Sequence, residues 1–190
     1  MYKRQLQRVL QVYTTTHPNV KVSIHDRSTE EMRQEFEAGK LDLIISPEFT
    51  HPDLQWQTIY RLPQQLVMTP SHPLSSEQHI PIRDLAHHSL LIFSRYEYPQ
   101  YWETLTTFCQ TQGLHPKISG EFDGIESLKT ALRAGLGIAI LAGSNTLMRD
   151  STFLHKACVP PLPELPVGIG YANYQAPETF IQHFINLCTI

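Results

Sequence analysis

At 190 residues the chain is long enough for one ordinary domain or two small lobes, and its 41% hydrophobic and 17% charged composition, with scattered proline and glycine, excludes a disordered polypeptide. A formal net charge of −3 with dispersed basic residues lacks the footprint of a surface that grips DNA phosphates.

The opening segment carries charges and glutamines through its apolar positions, so it offers neither a signal-peptide core nor a membrane span, and the chain reads as cytoplasmic. Leu6, Val9, Leu10 and Tyr13 recur at i, i+3, i+4 and i+7, which predicts an amphipathic helix over residues 2–16. Val20, Val22 and Ile24 alternate with Lys21, Ser23 and His25, the period of a strand with one covered face. Ser28-Thr29-Glu30-Glu31 is a capping box, in which a hydroxyl and a carboxylate satisfy each other's backbone amides, so a helix starts there. Met32 and Phe36 share its inner face, Gly39 suits its end, and residues 41–45 read as a short buried strand.

Strands are next expected from Leu54, Trp56, Thr58 and Tyr60, and from Leu66, Val67 and Met68 ahead of the Pro70 and Pro73 turn. The helix-and-strand rhythm then resumes. Strands are predicted at residues 90–93, 117–121, 138–141, 153–159 and 167–171. Helices are predicted at residues 101–112 and 125–134, with a closing helix from Pro177 that carries Phe180, Phe184 and Leu187, widened by Ile185 and Cys188. Two such runs, separated by the β-rich stretch of residues 54–69, predict an α/β chain of two lobes with parallel sheets covered by helices on both faces. Sheets of this kind bind ligands at the carboxyl ends of their strands, and a cleft between lobes is the expected site.

Four strings in the expected order then resemble one family. Residues 20–46 (VKVSIHDRSTEEMRQEFEAGKLDLIIS) are similar to the LysR-type effector-domain pattern of strand, capped helix and "G-x-L-D" strand. Residues 59–74 (IYRLPQQLVMTPSHPL) resemble its lobe-crossing strand with the "HPL" ending, and residues 90–118 the opening of its second lobe. Residues 126–141 (ESLKTALRAGLGIAIL) resemble its "AGLGIAIL" turn. The resemblance implies a fold similar to type 2 periplasmic binding proteins, two Rossmann-like lobes with mixed, mostly parallel sheets, with lobe I at residues 1–62 plus 161–190 and lobe II at residues 63–160. Two features depart from it: the family's winged helix-turn-helix, linker helix and first strand have no counterpart here, and Ala142-Gly143 stands where a proline turn is common. The chain therefore reads as a truncated reading frame, a fragment, or a variant whose sheet a partner completes, with an opened sheet edge and fewer ligand groups.

The resemblance places effector contacts at Thr29, with Ser28 beside it, where a helix N-terminus favours an anion; simple capping by Ser28 and Glu31 is the alternative. It places others at Phe93, Ser94 and Arg95 after an apolar strand, against an ordinary surface loop. Gly124, Ile125 and Ser127 open the helix before the AGLG turn, where Asp123 is the competing N-cap. Gly135 and Gly137 read as structural, because GLG lacks the rest of a dinucleotide fingerprint.

No metal site or cofactor is expected: the ten histidines include one adjacent pair, His87-His88, whose side chains diverge, and the three cysteines lack ligand spacing. Cys109 shares a helix stripe with Leu105 and reads as an inert core thiol, so no catalytic residue is assigned and the chain is read as a non-enzyme. The expected role is a sensor of an organic acid, an amino-acid-like or an aromatic metabolite, pairing as a homodimer or tetramer and reaching DNA only through the absent helix-turn-helix. A free-standing solute-binding protein of the same fold and an enzyme using the cleft are the alternatives.

Overall fold

A computed structural model describes residues 2–142, 150–172 and 179–189. In chain order its elements are α1 (Tyr2–Thr16), α2 (Thr29–Glu37), β1 (Ile44–Pro47), β2 (Leu54–Leu62), β3 (Gln64–Met68), β4 (His79–Pro81) and β5 (Ser89–Phe93). There follow α3 (Pro99–Thr111), β6 (Lys117–Phe122), α4 (Ile125–Arg133), β7 (Ile138–Ala142), β8 (Leu154–Val159), β9 (Leu165–Ala172) and α5 (Thr179–Cys188). They fold as two compact units, Met1–Arg61 with Pro166–Ile190, and Leu62–Leu165.

The first unit holds a three-stranded sheet in the order β1-β9-β2, with β1 antiparallel to β9 from Ile44 opposite Gly170 to Pro47 opposite Val167. Phe36 from α2 packs with Ile44 and Phe49, and Met32, Leu41 and Leu54 close over them. Gly168 is required where β9 passes β2, because a Cβ there would stand 2.3 Å from the Gln57 carbonyl oxygen. Helix α1 packs on α5 through Tyr13, whose ring meets Phe184 edge-on at 5.1 Å between centroids.

The second unit is built on a six-stranded mixed sheet in the order β4-β8-β3-β7-β5-β6. Strand β5 runs parallel to β6 and β7, β4 runs parallel to β8, and β3 is antiparallel to β7 and β8. Because successive strand residues point to opposite faces, Leu66, Met68, Leu90, Ile92, Ile138 and Ile140 enter one core layer, with Leu105 and Cys109 of α3. Their sequence neighbours Val67, Leu91, Ala139 and Leu141 enter the other, with Leu128 and Leu132 of α4. Burial on both faces is why these strands read as continuous apolar runs.

The strand expected at residues 20–24 is not formed. Those residues form neither helix nor strand, Val22 and Ile24 are exposed, and no backbone ladder joins residues 21–26 to any described residue. Alternation reports which side of a chain suits a core, but a strand also needs a neighbouring backbone to pair with. The strand expected at residues 41–45 lies further on, at Ile44–Pro47, and β4 was not anticipated. The Gly143 of the Ala142-Gly143 departure and the Pro177 start of the closing helix lie outside the described residues.

Candidate functional site

In the first unit the candidates stand at the start of α2. Ser28 is its N-cap: the Ser28 hydroxyl accepts from the Glu31 N–H at 3.2 Å, and the Glu31 carboxylate accepts from the Ser28 N–H at 2.8 Å. Both Ser28 and Thr29 are 6% exposed, and the Thr29 hydroxyl has no partner among the described residues. Capping therefore occupies Ser28, whereas Thr29 presents an unused hydroxyl beside a helix N-terminus. Buried Ser46, on β1, donates from its hydroxyl to the Pro47 carbonyl at 2.8 Å; nothing in the sequence marked it.

In the second unit the candidates gather at the carboxyl ends of β5 and β6. The parallel register sets Phe93 beside Phe122, and the Ser94 N–H continues that ladder to the Phe122 carbonyl at 2.7 Å. The Ser94 hydroxyl accepts from the Tyr96 N–H at 3.2 Å and so shapes the loop that leads into α3. The Trp102 indole donates to the Phe93 carbonyl at 2.7 Å, and Tyr98 and Tyr101 pack on the Phe93 ring at 4.8 and 5.5 Å. Exposed Arg95 donates its backbone N–H to Glu121 and holds its guanidinium 6.0 Å above the Trp102 ring.

Helix α4 begins at the same strand ends. Its N-cap is Gly124, not Asp123, and no side chain caps it, leaving the amides of its first turn open. A Cβ at Gly124 would meet nothing within 4 Å, so the space in front is free. Asp123 instead accepts from the Ser127 hydroxyl at 2.8 Å, which also reaches the Gly124 carbonyl at 2.9 Å. The fold thus brings Phe93, Ser94, Gly124, Ile125 and Ser127 to one end of one sheet. Two further polar atoms escaped sequence reading: the buried side-chain oxygens of Gln65 and Gln100 have no partner among the described residues. Glutamine on an apolar strand or in a first helical turn carries no periodic signal, so only packing reveals them.

The described residues include no group of three or more histidine, cysteine or acidic side chains able to hold a metal. Cys109 is buried beside Leu105, and burial raises its thiol, the opposite of what a nucleophile needs. Burial likewise pushes Cys158 up to about 12 and Cys188 up to about 11. No described helix is long and apolar enough to cross a membrane.

The family model for the LysR substrate binding domain matches residues 1–189. The chain belongs to the LysR substrate-binding-domain family. Among curated relatives, the HTH-type transcriptional regulator AlsR of Bacillus subtilis (strain 168) is 25% identical over 137 residues, covering 72% of this chain and 45% of that protein. This LysR-family chain spans about half the length of the curated relatives it matches. Among solved structures, the Synechocystis PCC6803 CcmR regulatory domain in complex with 2-PG superposes with a TM-score of 0.83 at 18% identity, covering 98% of this chain and 90% of that one. The effector binding domain of QuiR in complex with shikimate gives 0.85 at 16% identity, over 97% and 88% of the two chains. At such identities the likeness shows the fold, which is the two-lobed α/β fold of LysR effector-binding domains.

Proposed function

We propose that this chain is the effector-sensing part of a LysR-type transcription regulator and that it takes a small organic anion. Thr29, with Ser28, contributes from the first unit; Phe93, Ser94, Arg95, Gly124, Ile125 and Ser127 contribute from the second. The observation that carries this reading is the uncapped start of α4 at the carboxyl ends of β5 and β6, beside Ser94, where open amides and a partial positive charge suit a carboxylate. A buried, unused Thr29 hydroxyl at a second helix start supports it. Relatives bound to 2-PG and shikimate support the same class, an organic acid or an amino-acid-like or aromatic metabolite. Binding would bias the conformational equilibrium of a multimeric regulator, with no bond made or broken. DNA would be read in the cytoplasm by a helix-turn-helix segment that is not among these residues.

Thermal shift and calorimetry against a panel of small carboxylates test this. A ligand at about 100 times its Kd contributes about 2.7 kcal/mol, which appears as a clear rise in melting temperature. Ser127→Ala and Thr29→Ala should weaken the response. No stabilisation by any member of the panel would reject the reading.

A further inference from the structure

The contact between α1 and α5 contains two histidines that the sensing role does not use. His17 follows the last turn of α1 and His183 lies in α5, and Nε2 of the first stands 2.7 Å from Nδ1 of the second. Both rings pack on Tyr13, with centroids 4.8 and 6.3 Å away, and Tyr13 is buried beside Phe184. One imidazole must lend a lone pair to this bond, so it forms when the pair carries no proton charge or one, and not when both rings are protonated. We infer that the His17–His183 bond is a proton-sensitive clasp that holds the C-terminal end of α1 on α5 and releases when both imidazoles are charged.

The surroundings favour release over rescue. The sequence of α1 supplies Lys3, Arg4 and Arg8 and no carboxylate, and α5 has no charged residue besides His183. The described histidine ion pair is His51 with Glu37, so no described carboxylate pairs with His17 or His183. Tyr13, kept neutral by burial, and Cys188, which faces Tyr60, are the other titratable groups against these helices. A proton on each ring sets two like charges within bonding distance. The contribution of the clasp to stability is therefore present while at least one ring is neutral and is lost when both carry a proton.

The inference is independent of any effector and is tested on the whole chain. His17→Gln with His183→Asn keeps amide groups near Nε2 and Nδ1, so a bond persists that does not titrate. Melting followed by circular dichroism from pH 8 to pH 5 should show the native chain losing about 2–4 °C more than this double variant. Parallel profiles would overturn the clasp. Should the variant not fold, nitrogen-detected NMR of the native imidazoles decides: two separate protonation steps for the pair are expected, and two independent, simultaneous titrations would refute it.

Discussion

Ser28 caps α2 and stands beside the candidate ligand-binding hydroxyl of Thr29. Its hydroxyl and the Glu31 carboxylate close reciprocal bonds at the start of α2, and both atoms are spent on the helix. Ser28→Ala should therefore cost about 1 kcal/mol, lowering the urea midpoint with an unchanged slope. Thr29, equally buried and without a partner among the described residues, is the group left to meet a ligand. The same contrast separates Asp123 from Gly124. Aspartate is the better N-cap by preference, yet the turn out of β6 places the cap at Gly124 and turns Asp123 toward the Ser127 hydroxyl. Residue preference names the candidates for a role, and the backbone path selects among them.

At the scale of elements, the apolar runs in the second unit were legible because both faces of its sheet are covered. Alternate residues of β3, β5 and β7 fill two separate layers, so each strand is a short unbroken hydrophobic string. Close packing inside that sheet yields a sharp expectation. Gly137 precedes β7, and a Cβ there would stand 2.3 Å from the Ser89 carbonyl oxygen at the start of β5. Gly137→Ala should force β7 away from β5 and destabilise the chain by about 1–3 kcal/mol, read by chemical unfolding. The reverse case is the segment after α1. Val20, Val22 and Ile24 carry a strand's alternation, yet the segment makes no ladder with the described residues, and Ile24 remains 68% exposed. Single-sequence periodicity describes one chain's faces and has no access to the neighbour that a strand requires.

For the whole molecule, that exposed segment bears on assembly. Val12, on the outer side of α1, with Val22 and Ile24, leaves apolar side chains in water on the first unit. If the chain pairs as the expected homodimer, a second copy covering these side chains would remove them from water. Ile24→Asp, at a position that contributes little to the fold, should shift the chain toward monomer in sedimentation velocity. A native chain that is monomeric at every concentration would remove this role for the surface.

The sequence by itself determined the α/β class, most of the helices and strands, and the two helix starts with their candidate residues. Each of these follows from local signals: a cap such as Ser28 with Glu31, a periodic stripe such as Leu6 to Tyr13, or a buried run such as that of β7. Tertiary structure alone decided which of those signals act. It seated Phe93, Ser94 and Gly124 at one sheet end through the β5 and β6 register, left the buried oxygens of Gln65 and Gln100 without a partner among the described residues, and joined His17 to His183 across 166 positions. Pairings between distant residues depend on how the elements pack, and no local pattern of charge, size or hydrophobicity encodes them.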